Sequence, residues 1–140
     1  MKQVFADTLY WVASITPGDP WYAPTLQAVA ALGPVDLVTT EEVLVEFLSA
    51  YAGRGAYLRQ EALKTVRAIL GNVHVTVIPQ THESFMKGLD FYASRTDKAY
   101  SLVDCISMHT MRQNFLLGLT EVLTNDHHFT QEGFTILIKR

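Results

Sequence analysis

Four carboxylates stand where they could act together. Asp7 follows the short apolar run Gln3 to Ala6. Glu46 lies between Val45 and Phe47, in an apolar segment. Asp104 comes three residues after Ser101, at the start of SLVDCISMHTMRQN, and Asp126 stands in TNDHHF. Carboxylates brought close repel, and at least one takes up a proton unless a cation is present. Oxygen-only ligation suits a hard divalent ion, Mg²⁺ or Mn²⁺. The chemistry that uses such a site is in-line attack of metal-activated water on a phosphodiester.

Taken singly, three of these acids have ordinary explanations. Asp7 can cap the helix that follows it, and Asp126 can be a loop residue. Ser101 and Asp104 can form a variant capping box, with the acid favoured by the helix dipole. Glu46 has no such role. Glu42 can pair with Thr39 as a capping box. Glu46 then repeats a negative charge four residues on, which costs about 0.2–0.5 kcal/mol on a helix.

The elements that must position these groups can be read from periodicity. Apolar runs predict strands at Gln3 to Ala6, Asp36 to Val38, His74 to Ile78, Glu121 to Leu123 and Thr135 to Ile138. Helical spacing predicts helices from Leu9 to Ile15, from Asp19-Pro20 to Leu32, after Thr39, from Ala56 to Leu70, from Thr81 to Ala93, and from Ser101 to Asn114. Leu63, Val66 and Leu70 mark the inward face of the fourth, and Leu102, Val103, Ile106, Met108 and Met111 that of the last. Strands alternating with helices predict an α/β fold with a mostly parallel central sheet of about five strands. Sites in such sheets gather outside the carboxyl ends of the strands. Asp7 and Asp126 fall there, and Asp104 joins them if its helix runs back antiparallel to the strands.

The 140 residues predict one domain spanning 1–140, with enough chain to bury a core. The chain is 49 % hydrophobic and 18 % charged, which excludes a disordered protein. No apolar run approaches the roughly 20 residues of a membrane span, and no secretory leader is legible. The single cysteine, Cys105, fits a reducing cytoplasm and reads as a small buried hydrophobe. A formal net charge of −3 argues against tight non-specific binding to a nucleic-acid backbone, but not against a nuclease whose acids are concentrated at a metal site.

With these residues in view, the chain resembles PIN-domain proteins, and most of all the toxin ribonucleases of bacterial toxin–antitoxin pairs of the VapBC type. The resemblance runs essentially end to end. VFADTLYWVA resembles the first-strand motif, with Asp7 as its acid. TTEEVLVEFLSA resembles the segment carrying the glutamate, here Glu46. RTDKAYSLVDCISM resembles the third motif, with Asp104 as acid and Ser101 beside it. LTNDHHFTQEGF resembles the last, with Asp126 and its polar neighbour Thr124. One departure is Thr8-Leu9, where many relatives carry a small or polar pair. The resemblance implies a PIN-like three-layer sandwich and an endoribonuclease. Asp7, Glu46, Asp104 and Asp126 would hold Mg²⁺ or Mn²⁺, and the products would have 5′-phosphate and 3′-hydroxyl ends. It also implies a small cognate antitoxin, a homodimer and a cytoplasmic location with no membrane association.

Arg54, Arg59, Lys64 and Arg67 surround the helix after Gly53–Gly55, and Arg95 and Lys98 precede the third acid. As a group, with Arg54, Arg59, Arg95 and Lys98 foremost, they could guide an RNA backbone past the metal. Asp97 reads as a loop or salt-bridge residue. The competing function is a PIN-fold module that binds RNA or protein without cutting it, but such a module has no need of mutually repelling acids. A receiver domain is excluded, since Pro79-Gln80-Thr81 follows the third strand. His127 and His128 lack cysteine partners for a zinc site, and no phosphate-binding glycine loop or nucleophile elbow is present.

Overall fold

The structure, a computed structural model, describes residues 1–114, 116 and 118–140. In chain order its elements are β1 (Gln3–Ala6), α1 (Thr8–Ile15), α2 (Tyr22–Leu32), β2 (Asp36–Thr40), α3 (Glu41–Tyr51), α4 (Ala56–Gly71), β3 (Val75–Ile78), α5 (His82–Ser94), α6 (Leu102–Gln113), β4 (Glu121–Leu123), α7 (His128–Gln131) and β5 (Thr135–Ile136). The five strands form one sheet in the order β3-β2-β1-β4-β5, and every pairing is parallel. All carboxyl ends therefore lie along one edge. The order reverses between β1 and β4, and the crevice at such a reversal is where open α/β sheets place ligands.

Side chains alternate between the two faces of the sheet. Phe5, Val38, Val122 and Ile136 point into the larger core, with Phe47 of α3, Ala62 and Val66 of α4, and Met108 and Met111 of α6. Val4 and Leu123, with Ile138, pack on the other face against Leu9, Trp21, Ala28 and Leu32 of the α1–α2 side. The expected layered α/β architecture is thus present.

Local departures from the sequence reading have physical causes. β2 runs two residues past Val38, so Thr40 and not Thr39 caps α3, its side chain accepting from the Val43 amide at 3.1 Å. Thr39 instead donates to the Ala6 carbonyl at 2.9 Å, tying β2 to β1. Glu42 forms no capping box; it accepts from the Ser84 hydroxyl at 2.9 Å. Asp19 closes a turn by accepting from the Trp21 amide at 2.7 Å, and α2 begins only at Tyr22. It ends at Gly33, whose φ of 68° is left-handed. On α4 the inward residues are Ala62, Val66 and Ile69; Leu63 and Leu70 are exposed. On α6 Ile106, Met108 and Met111 are buried as expected, while Leu102 and Val103 are half-buried. β5 is shorter than expected, although the amides of Leu137 and Ile138 still bond to Val122 and Thr124 carbonyls.

α5 lies against α6 with Gly88 at the contact. A Cβ there would stand 2.3 Å from Cγ1 of Ile106. Helix propensity alone makes Gly88→Ala stabilising by about 1 kcal/mol. Overpacking costs about 1–3 kcal/mol and outweighs it. The variant is expected to lower the urea midpoint, and by less in an Ile106→Ala background, whose own cost of about 2–5 kcal/mol is subtracted in the cycle. A rise in stability from Gly88→Ala alone would show that the helices do not approach this closely.

Candidate metal centre

Asp7 is the first residue past the central strand, and there it is only 6 % exposed. Thr124, the first residue past β4, donates its hydroxyl to Asp7 Oδ2 at 3.0 Å. The same hydroxyl accepts the Asp126 amide at 3.1 Å. Thr124 therefore fixes both acids across the crevice between β1 and β4. Glu46 reaches the site from α3, where Thr8 donates to its Oε1 at 2.5 Å. The residue that departs from the usual pattern after Asp7 thus supplies a polar contact of its own.

Asp104 plays both roles open to it in the sequence. Its Oδ2 accepts the Ser101 amide at 3.1 Å and its amide donates to Ser101 Oγ at 3.0 Å, a complete capping box. The same carboxylate faces Asp126 and His128. One ligand atom from each of Asp104, Asp126 and His128 lies within 4.8 Å of the others. His128 Nδ1 is 3.2 Å from Asp126 Oδ1 and 3.7 Å from Asp104 Oδ2. It makes no hydrogen bond to either, although the atom is buried.

The group whose atoms could share one ion is Asp104, Asp126 and His128; Asp7 and Glu46 lie outside it but interact with it through charge. Burial pushes the Asp7 carboxyl up to about 7, and the charges of Asp104 and Glu46 push the same way, against the Thr8 amide and the Thr124 hydroxyl. Burial also raises Asp104, with Asp126 adding to the rise and Ser101 and His128 opposing it. Each acid thus feels at least one other. A divalent cation would relieve that repulsion; the carboxylate oxygens suit Mn²⁺ or Mg²⁺, and the imidazole nitrogen among them suits a transition ion better than Mg²⁺. A buried, unbonded His128 Nδ1 aimed among carboxylates is the feature such an ion would satisfy.

Sequence reasoning missed two residues. His128 lacks cysteine partners, but its neighbours in the fold are the carboxylates of Asp104 and Asp126. Glu132 carried no signal in the sequence. Its side chain accepts from Arg95 Nε at 3.0 Å, from the Tyr100 hydroxyl at 2.9 Å and from Arg112 at 3.2 Å. The Arg95 hydrogen bond, with those from Tyr100 and Arg112, pulls its carboxyl down to about 2 against the cost of burial. Glu132 ends α7, and the Tyr100 ring stacks edge-on to His128 with centroids 5.1 Å apart. This network holds the Asp126–His128 segment against α6.

The cations read as substrate guides are placed unevenly. Arg95 is engaged by Glu132, and Lys98 lies 3.7 Å from Asp97, which is thereby a salt-bridge residue. Arg95 and Lys98 nonetheless line a cavity of about 240 Å³ that Cys105, next to Asp104, also lines. Arg54 stacks over the Tyr51 ring at 5.0 Å, and Arg59 donates to the Ala52 carbonyl at 3.0 Å, so these two brace the α3–α4 turn. Among the described residues no helix is long and apolar enough to cross a membrane.

No protein-family model matches the chain, and no curated protein sequence does. Among solved structures it is similar to VapC20 of Mycobacterium tuberculosis, a sarcin-ricin loop cleaving toxin. The two superpose with a TM-score of 0.80 at 23 % identity, over 94 % of this chain and 96 % of that one. At that identity the likeness speaks for architecture, and it does so over nearly the whole length of both chains. The chain has the fold of a VapC toxin, the PIN-like architecture that its sequence resembles.

Proposed function

We propose that this protein is a divalent-metal-dependent endoribonuclease, the toxin of a type II toxin–antitoxin pair. One observation carries the reading: at the point where the strand order reverses, Asp104, Asp126 and His128 present ligand atoms within 4.8 Å of one another, with the buried Asp7 and the half-buried Glu46 beside them. Asp7, Asp104 and Asp126 hold the ion, with Glu46 beside them and His128 completing the donor set. Bound Mg²⁺ or Mn²⁺ supplies activation of water and stabilises the charge that develops as a phosphodiester breaks. Thr124 keeps Asp7 and Asp126 in register, Thr8 orients Glu46, and Ser101 fixes the carboxylate of Asp104. Arg95 and Lys98, beside Asp104, contribute positive charge towards the RNA backbone.

The fold shared with VapC20 supports this reading, and the sarcin-ricin loop that VapC20 cleaves is the first substrate to try. A small antitoxin covering the site, a homodimer and a cytoplasmic location belong to the same proposal. A fold kept only for binding would gain nothing from buried acids that repel, which is why the non-catalytic module is the weaker reading. The test is incubation of a panel of structured RNAs with Mg²⁺ or Mn²⁺ and with a chelator. Cleavage with metal, leaving 5′-phosphate and 3′-hydroxyl ends, is the expected result. Cutting that persists in chelator contradicts the metal mechanism, and intact RNA throughout, with binding retained, favours the binding module.

A further inference from the structure

Along β5 and the loop that follows β4 lies a cavity of about 740 Å³. Asn125 and His127, the two sequence neighbours of Asp126, line it, while the acids themselves stay outside its lining. Ile136 lies in its floor, and Trp21, Lys139 and Arg140 form its other walls. Its volume falls within the range of ligand pockets. Its composition is that of a single-strand site, with an aromatic ring, apolar surface and cations together. The Arg140 guanidinium lies 5.0 Å over the Trp21 ring, an arrangement that positions the cation without neutralising it. Among the described residues neither Lys139 nor Arg140 is paired with a carboxylate, in contrast to Arg95, Lys98 and Arg112.

We infer that this cavity is the subsite for the RNA nucleotide adjoining the scissile phosphate, with Lys139 and Arg140 on the backbone and the base against Trp21. The inference rests on the ribonuclease reading and deepens it. The RNA would cross the acid cluster between two cationic flanks, Arg95 and Lys98 on one side and Lys139 and Arg140 on the other. Its chemistry asks for a single-stranded or flipped nucleotide, since a paired base cannot enter a cavity or stack on one ring.

The test measures binding of a thiouridine-labelled sarcin-ricin-loop RNA in chelator, where it is not cut, over a range of salt. Lys139→Gln with Arg140→Gln should weaken binding and make the slope of log affinity against log salt shallower by about 1.4, at roughly 0.7 per phosphate contact. Lys2→Gln, at the amino end of β1 and so at the opposite edge of the sheet, should leave the slope unchanged. Photocrosslinks should map to peptides containing Trp21 or His127. With metal present, the double variant should raise KM more than it lowers kcat. An unchanged slope and KM in the double variant overturns the subsite while wild-type cleavage leaves the ribonuclease reading in place. Crosslinks confined to the Arg54 and Arg59 side also overturn it, and would leave the cavity to a protein partner. Wild-type protein that binds no RNA defeats both.

Discussion

Asp7→Asn is expected to make the metal-free protein more stable at pH 8, by about 2–4 kcal/mol. The wild-type carboxyl titrates near 7 in the fold against an ordinary value of 3.8. Each unit is worth about 1.36 kcal/mol, and relaxation around the site trims the full difference. The sign follows from proton linkage. Below about pH 4 the group is protonated whether the chain is folded or unfolded, and it costs nothing. Between about pH 4 and 7 the unfolded carboxyl ionises while the folded one keeps its proton, so wild-type stability falls as pH rises. Above 7 the cost is complete. The amide in Asn carries no charge, and its oxygen can still accept from Thr124. The advantage of the variant should therefore be absent near pH 4 and full by pH 8, as read from denaturant midpoints in chelator. A variant less stable than wild type at pH 8 would mean that the Asp7 charge is already compensated inside the fold.

Mg²⁺ or Mn²⁺ should reverse that order. An ion that binds only the folded state stabilises it by about 2.7 kcal/mol at a hundredfold excess over its dissociation constant. Wild type should gain this much, while Asp104→Asn should gain far less, because it removes one of the charges clustered with Asp126 and His128. In chelator, Asp104→Asn should melt higher than wild type. Asn is an adequate residue near a helix start, so the capping of α6 by Ser101 survives the change. Equal metal responses in the two proteins would return Asp104 to the role of a helix-start residue alone.

The parallel sheet was legible because its strands read as short apolar runs bounded by polar turns, and the central β1 is buried on both faces. Asp7, Asp104 and Asp126 were legible at strand ends and a helix start and Glu46 by its lack of a capping role; Asp104 and Asp126 are the two that the fold brings within reach of one ion. Boundaries were less legible. Thr39 and Thr40 are both good caps, and only the length of β2 decides between them. Leu63 and Leu70 look inward by type, yet α4 turns Ala62 and Ile69 to the core. Glu132 gave no signal at all, since a single acid before a glycine reads as turn chemistry. Its partners Arg95, Tyr100 and Arg112 are 37, 32 and 20 residues away, and only the tertiary fold brings them together. That network also explains why Arg95, read from sequence as a free guide for RNA, is engaged by a carboxylate.

We propose that Asp7, Glu46, Asp104 and Asp126 form one metal-dependent cleavage site. The most direct test is the rate of RNA cleavage in Mn²⁺ by wild type, by Asp7→Asn and by Asp126→Asn, each shown to be folded by a cooperative melt. Wild type should cut, and each variant should lose activity by about a thousandfold or more, a barrier increase of at least about 4 kcal/mol. Folded variants that cut at the wild-type rate would contradict the claim.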